Sequence, residues 1–114
     1  VEAVGEGVSN FSVGNEVSGM TGVKMRAHAE YLVIPAHKSV VKKPATVSHD
    51  DAAGVLFGGT AALYFIRDIG HTSKGQSVLV NGASGAVGTN AVQLATYYGA
   101  TVTAVTSGDN ASLV

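Results

Sequence analysis

The sequence contains no cysteine, few charges and no strongly basic segment. Charged residues make up 13% of the 114 residues, and the net charge is −1. The absence of cysteine excludes thiolate metal ligands and cysteine nucleophiles, and it fits a reducing, cytoplasmic compartment. The densest basic cluster, Val41–Lys43, is too small for a nucleic-acid interface. We therefore expect a cytoplasmic protein without a nucleic-acid partner.

Long apolar runs and a signal peptide are also missing from the sequence. No apolar run approaches membrane-spanning length, so we expect no membrane partner. Hydrophobic residues nevertheless make up 46% of the chain, which favours a packed core over disorder. The first residue is Val1 rather than methionine, which indicates that the natural chain begins earlier.

The N-terminal part of the sequence has the pattern of short β-strands. Glycines separate short segments with β-forming residues over residues 1–22. Strands are predicted at Tyr31–Ile34 and Ser39–Val41, bounded by Pro35 and Pro44, because proline cannot donate to a strand ladder.

Helical patterns follow from residue 48. Ser48 lies three residues before Asp51, which is a capping-box spacing ahead of an apolar run. We predict that this helix ends at Gly58 and Gly59 and that a second helix, AALYFIRDI, follows Thr60 and ends at the next glycine.

From Ser77 onwards the pattern becomes strand, loop, helix and strand. The run Val78–Val80 predicts a strand that is buried on both faces. Apolar residues at helical spacing follow, and Gly99 stands where a helix end favours a left-handed residue. The segment TVTAVT predicts a second strand, and DNASLV predicts the opening of another helix.

The loop between the first strand and the helix carries a dinucleotide-binding fingerprint. It has the form Ala83-x-Gly85-x-x-Gly88, with alanine in the first glycine position. Gly85 allows the backbone to approach a pyrophosphate, and Gly88 allows the helix to pack closely on its strand. The helix N-terminus offers unpaired N–H groups to the anion. The strand before the loop and the strand after the helix favour nucleotide binding over a simple glycine-rich turn.

The loop also fits Gly82-x-x-Gly85-x-x-Gly88, a pattern of short-chain reductases. That family places its loop near the N-terminus and has a catalytic Tyr-x-x-x-Lys. Here a long β-rich stretch precedes the loop, and no tyrosine has a lysine four residues later. These features argue against that family.

The chain as a whole resembles the medium-chain dehydrogenase/reductase superfamily, and within it the zinc-independent, ζ-crystallin-like quinone oxidoreductases. The segments that carry the resemblance are VGEGVSNFSVGNEVSG, AHAEYLVIP, DDAAGVLFGGTAALYFI and KGQSVLVNGASGAVGTNAVQLATYYGATVTAV. The resemblance implies a mixed α/β fold in which the end of a GroES-like β-rich catalytic domain, residues 1–58, precedes a linking helix region, 59–76. The first β-α-β of a Rossmann domain, 77–114, comes last. The resemblance also implies that the chain is a central segment of an enzyme of about 300 residues.

The resemblance further implies which residues contact a cofactor. Five residues match the pyrophosphate-binding turn: Ser84, Gly85, Ala86, Val87 and Gly88. Thr60 matches a threonine that lies against the nicotinamide, and a plain helix cap is an equally good interpretation of it. No catalytic residue can be named.

The end of the second predicted strand favours NADPH over NADH. An NAD-dependent enzyme has an acidic residue there, which accepts from the ribose hydroxyl. This chain has Thr106 and Ser107, which are neutral donors suited to the 2′-phosphate. Many relatives add a basic residue two positions after the serine, where this chain has Asp109.

The four histidines are scattered and have no cysteine near them, so we predict no metal site. The function that the resemblance implies is hydride transfer from NADPH to a quinone or an activated, enone-like double bond, without zinc. The alternative is a non-catalytic binding or structural fragment of such a protein. We also expect a homo-oligomer, because predicted central strands would have an unpaired edge.

Overall fold

The computed structural model describes residues 1–114, apart from the side chain of Lys24. It contains two compact units, Val1–Ala53 and Gly54–Val114. The strands and α-helices are β1 (Val17–Gly19), β2 (Val40–Lys42), α1 (His49–Leu63), β3 (Ser77–Asn81), α2 (Ala86–Tyr97) and β4 (Thr101–Val105). Two short 3-10 helices cover Gly22–Lys24 and Gly108–Leu113. The mixed α/β class predicted from the sequence is confirmed.

The first unit is built on a short antiparallel pair. β1 pairs with β2, with Val17 opposite Lys42 and Gly19 opposite Val40. A side chain at Gly19 would meet the Ser39 carbonyl oxygen at 2.5 Å, so glycine allows the strands to approach. The strand predicted at Tyr31–Ile34 is absent: in the described part of the chain this segment pairs with no strand, and Val33 is 98% exposed.

One carboxylate links the strand pair to the start of α1. The Glu16 carboxylate lies 3.1 Å from Lys43 Nζ and 3.3 Å from His49 Nε2. The Lys43 side chain is only 4% exposed, and its ammonium also donates to the carbonyls of Pro44 and Val47. These contacts supply the acceptors that a covered ammonium group requires.

The N-terminal cap of α1 was predicted correctly. The Asp51 N–H donates to Ser48 Oγ at 3.0 Å, and the Ser48 hydroxyl donates to the Asp51 carboxylate at 2.6 Å. Asp50 and Asp51 lie in the first turn, where negative charge is favourable at the positive end of the helix dipole.

The predicted break at Gly58 and Gly59 is wrong, because α1 runs through both residues. A Cβ at Gly58 would lie 2.1 Å from the Ala86 carbonyl oxygen, and one at Gly59 would lie 3.3 Å from Asn90 Oδ1. The glycines therefore allow α1 to pack against the start of α2, and packing outweighs their low helix propensity.

A π-helical segment, Tyr64–Ile69, continues α1 and ends at Gly70 as predicted. The resulting helical stretch, His49–Ile69, is 21 residues long and is apolar enough to cross a membrane by length and composition alone. This length is longer than either of the two helices predicted from the sequence, because the helix continues through Gly58 and Gly59. Core helices of soluble proteins have the same length and composition, so the observation is weak support for a membrane segment.

The second unit contains a parallel β-α-β arrangement. β3 and β4 pair in parallel, from Ser77 opposite Thr101 to Asn81 opposite Val105. The core consists of small and medium apolar side chains, namely Ala62, Ile66, Val80, Ala83, Ala91 and Ala95. Leu79 is 68% exposed, so the prediction of burial on both faces is wrong for β3. α2 packs on one face of the pair and leaves the other uncovered in this structure.

The C-terminal end of α2 agrees with the sequence prediction, and the last segment agrees with it in part. Gly99 adopts a left-handed φ of 81°, and the following N–H, that of Ala100, donates to the Ala95 carbonyl. The last segment is helical as predicted, but it forms a 3-10 helix, Gly108–Leu113, that begins one residue before DNASLV and has Ser107 as its N-cap.

Candidate functional site: the turn between β3 and α2

The glycine turn (Gly82–Gly85) connects the carboxyl end of β3 to α2. Gly82 has a φ of +73°, in the left-handed region that favours glycine. The turn closes with a hydrogen bond from the Gly85 N–H to the Gly82 carbonyl at 3.0 Å. The sequence fingerprint placed alanine in the first glycine position, whereas Gly82 supplies the tight-turn conformation. Ala83 is fully buried in the core instead.

The third glycine of the fingerprint allows close packing. A Cβ at Gly88 would lie 2.2 Å from the Gly82 carbonyl oxygen and 2.7 Å from the Ala83 Cα. Any side chain here would push α2 away from the turn. The structure thus shows the tight helix–strand packing that the sequence motif predicts at this position.

The start of α2 presents backbone donors. Ala86, Val87 and Gly88 are the first residues of the helix, and in the described residues their N–H groups make no hydrogen bond. The first intrahelical bond runs from the Thr89 N–H to the Gly85 carbonyl at 2.9 Å. No side chain caps this end. Unpaired N–H groups and the helix dipole favour an anion here.

The end of β4 supports the turn. The Val105 carbonyl accepts from the N–H groups of Gly82 and Ala83, at 2.9 and 3.0 Å. The Thr106 hydroxyl donates to Ser84 Oγ at 2.7 Å. The structure therefore brings together two of the predicted site residues, one from each strand end.

Ser107 lies at the start of the final 3-10 helix, next to Thr106. Its Oγ accepts from Asn110 Nδ2 at 3.0 Å, and its side chain is exposed. Asp109 follows in the first turn of that helix. Ser107 is thus the predicted phosphate donor that faces solvent.

Thr60 lies inside the last turn of α1, so the interpretation as a cap at the start of a helix is wrong. Its hydroxyl donates to the Leu56 carbonyl one turn earlier, and the Phe57 carbonyl oxygen lies 3.3 Å from the same hydroxyl. It follows Gly58 and Gly59, which pack against the start of α2. Its predicted contact with a nicotinamide stays a prediction.

The β-α-β arrangement carries no charged side chain. Between Lys74 and Asp109 the sequence has no Asp, Glu, Lys or Arg. An anion at the turn would therefore be held by backbone N–H groups and hydroxyls. Outside this region Arg67 and Asp68 form an ion pair at 2.7 Å, which lowers the pKa of the carboxyl and raises that of the guanidinium.

A separate depression of about 490 Å³ lies at the opposite end of β3. It is lined by the π-helical segment, by Gln76 and Ser77 at the beginning of the strand, and by neighbouring residues. Ligands of parallel α/β sheets bind at the carboxyl ends of the strands. The glycine turn is therefore the better candidate. Among the described residues no three His, Asp or Glu side chains lie together in a way that could hold a metal ion.

Curated relatives cover most of this chain, although no protein-family model matches it. It is 37% identical over 102 residues to a squalestatin hexaketide synthase of Cochliobolus lunatus. The identity is 36% over 112 residues with the mitochondrial NAD(P)H oxidoreductase RTN4IP1 of Mus musculus, and 35% over 95 residues with a quinone oxidoreductase of Pseudomonas aeruginosa. These matches cover 90%, 94% and 83% of the chain but only 4%, 28% and 29% of the relatives.

Solved structures give the same result. An alcohol dehydrogenase superfamily protein from Novosphingobium aromaticivorans matches 99% of the chain with a TM-score of 0.89 and 32% identity. The CurF ER cyclopropanase of the curacin A biosynthetic pathway matches 98% of the chain with a TM-score of 0.81 and 31% identity. The chain spans 35% and 32% of these structures.

The parallel pair with its crossing helix is consistent with the start of a Rossmann-type fold, and the chain covers part of a medium-chain dehydrogenase/reductase fold. Its homologues and structural neighbours are medium-chain dehydrogenase/reductase family members, among them quinone oxidoreductases and enoyl reductases. The resemblance predicted from the sequence is thereby confirmed, and it supports an oxidoreductase.

Proposed function

We propose that the protein is an oxidoreductase in which the glycine turn and the start of α2 bind the pyrophosphate of NADPH. The observation that carries the proposal is the row of unpaired N–H groups from Ala86 to Gly88 at the carboxyl end of β3. Helix N-termini at this position are the usual binding place of dinucleotide phosphates. The oxidoreductases among the homologues support the same role.

NADPH is proposed over NADH because the end of β4 carries hydroxyls in place of a carboxylate. Ser107 is exposed beside the turn and can donate to a 2′-phosphate. The cofactor would supply the hydride, and the protein would orient it and shield it from water. Thr60 is proposed to lie against the nicotinamide.

A quinone is the first proposed acceptor, because quinone oxidoreductases occur among both the relatives and the solved structures. A second candidate is the activated double bond of an enoyl thioester. The polyketide synthases and enoyl reductases among the similar proteins favour it. Both acceptors take a hydride at an electron-poor carbon or oxygen, so one cofactor site serves either.

An NADPH-oxidation assay with the protein at its full natural length tests these proposals. A simple benzoquinone and a crotonyl thioester are offered separately, with NADPH or NADH and with or without a chelator. We expect quinone-dependent oxidation of NADPH that survives chelation. Faster thioester reduction would favour the second candidate, and tighter NADH binding would contradict the cofactor choice. Cofactor binding without turnover of either acceptor would favour a non-catalytic role.

We propose a zinc-independent, cytoplasmic homo-oligomer that acts on a small molecule and has no nucleic-acid or membrane partner. The domain bounds 1–58, 59–76 and 77–114 are proposed likewise. Metal analysis of the purified protein tests the proposed zinc independence, since stoichiometric zinc would contradict it.

A further inference from the structure

The end of β4 contacts the glycine turn through both backbone and side chain. The Val105 carbonyl accepts from two N–H groups of the turn, those of Gly82 and Ala83. The next residue, Thr106, donates its hydroxyl proton to Ser84 Oγ at 2.7 Å, in a half-buried contact between residues 22 positions apart. The two strand ends are therefore fixed to each other at the place where the proposed phosphate would bind.

We infer that Thr106 is a positioning residue for Ser84 rather than a donor to the 2′-phosphate. A hydroxyl has one proton to donate, and that of Thr106 is directed to Ser84 Oγ. The Ser84 proton is then free to donate to an anion at the turn. The contact also fixes the orientation of the Ser84 side chain, which the turn backbone alone would leave to rotate.

This assignment rests on the proposed function. It gives different roles to the two hydroxyls predicted at the end of β4, those of Thr106 and Ser107. Ser107 is exposed, and it is the hydroxyl proposed to donate to the 2′-phosphate of NADPH. Thr106 acts through Ser84 on the pyrophosphate, which NADPH and NADH share. Loss of the Thr106 hydroxyl should therefore weaken binding of both cofactors by the same factor and leave their ratio unchanged.

The experiment measures dissociation constants of NADPH and NADH, by nicotinamide fluorescence, for the protein at its full natural length. Thr106→Val removes the hydroxyl at nearly constant shape, and Thr106→Ser keeps it. Thr103→Val is the matched control: it makes the same change on β4, at an exposed residue whose hydroxyl makes no hydrogen bond within the described residues. Thermal unfolding of each variant is measured alongside.

We expect Thr106→Val to weaken both cofactors about three- to tenfold, the range for one lost hydrogen bond. Thr106→Ser should retain affinity and Thr103→Val should not change it. The double variant Ser84→Ala/Thr106→Val should bind like Ser84→Ala alone. Three results would each overturn the inference: a loss of affinity for NADPH alone, unchanged affinity for both cofactors in Thr106→Val, or additive losses of affinity in the double variant. An unmutated protein that binds neither cofactor would instead contradict the proposed function, and the inference would fall with it.

Discussion

At the residue scale, the glycines of the site are required for different physical reasons. Gly82 adopts a left-handed φ with open space around its Cα. Gly88 has an ordinary φ, but its missing side chain leaves room for the carbonyl of Gly82. The first requirement concerns backbone conformation, and the second concerns the closeness of two backbones. The same residue type therefore responds differently to substitution at each place.

Substitution Gly88→Ala should destabilise the protein by about 1–3 kcal/mol, because the new methyl group would overlap backbone atoms that cannot rotate away. A Cβ at this residue would lie 2.2 Å from a carbonyl oxygen. Gly108→Ala is the control, since a Cβ there meets nothing within 4 Å. Urea unfolding of the two variants checks the prediction, and equal stabilities would contradict it.

Glu16 gives the first unit a pH-dependent contact. Hydrogen bonds from Lys43 and His49, together with their charges, lower the pKa of the carboxyl from its ordinary value of 4.5. A carboxyl with a lowered pKa stabilises the fold above its unfolded-state pKa, and this contribution disappears as the pH falls through the folded-state value. Because the carboxylate is largely exposed, solvent reduces the effect.

Substitution Glu16→Gln should therefore reduce stability at neutral pH and flatten the dependence of stability on pH below 4.5. Stability is measured by urea unfolding across the acidic range. Glu6→Gln is the matched control, because Glu6 makes no ion pair within the described part of the chain. If the stability of the unmutated protein and that of Glu16→Gln depend on pH in the same way, the Glu16 contact contributes nothing to stability.

At the scale of secondary-structure elements, α1 is the segment on which local preference and packing disagree. Its central glycines predict a helix end, but the helix continues through them. Gly54 lies on the same helix in open space, whereas Gly58 lies against the Ala86 carbonyl. Substitution of Gly54 therefore reports on helix propensity alone, whereas substitution of Gly58 also reports on packing.

Gly54→Ala should stabilise the protein by about 0.5–1 kcal/mol, because alanine is the better helix former and meets no neighbour. Gly58→Ala should destabilise it by about 1–3 kcal/mol, because its methyl group would lie 2.1 Å from a carbonyl oxygen. Thermal unfolding of both variants measures the difference. A stabilising Gly58→Ala would mean that α1 does not pack closely on α2.

Local chemistry made part of the fold predictable. The capping hydroxyl of Ser48, the left-handed Gly99 and the strand–turn–helix–strand order all depend on nearby residues, and all were predicted from the sequence. The continuity of α1 was not, because it depends on a contact with α2 about 30 residues later. The segment Tyr31–Ile34 has strand-forming residues, but a strand also requires a pairing partner.

The site was predictable to the same extent. The pattern of glycines located the turn, since spacing and flanking strands define it. The role of Gly82 was missed because φ is not visible in a fingerprint that also accepts alanine at the next position. The contact between Ser84 and Thr106 joins the ends of two strands, so it became apparent only from their parallel pairing.

At the scale of the whole molecule, the parallel pair leaves apolar surface uncovered. Among the described residues, β3 and β4 pair only with each other. Each strand therefore has a free edge, and Leu79 is exposed on the face away from α2. Free edges and apolar side chains of this kind pair readily with another chain.

We predict that the 114-residue chain self-associates and does not turn over NADPH by itself. A dinucleotide normally lies across two β-α-β halves, and these residues supply one. Light scattering at several concentrations, beside an NADPH-oxidation assay, tests both statements. A monomer at every concentration would contradict the first, and measurable turnover would contradict the second.

The proposed cofactor site is the glycine turn with the start of α2, which would hold the pyrophosphate of NADPH. Nuclear magnetic resonance tests it most directly, because it reports on each backbone N–H of the protein at its full natural length during an NADPH titration. We expect saturable shifts of the amide signals of Ala86, Val87 and Gly88, shared by NADH and by pyrophosphate alone. NADPH binding that leaves these three signals unmoved would show that the pyrophosphate binds elsewhere.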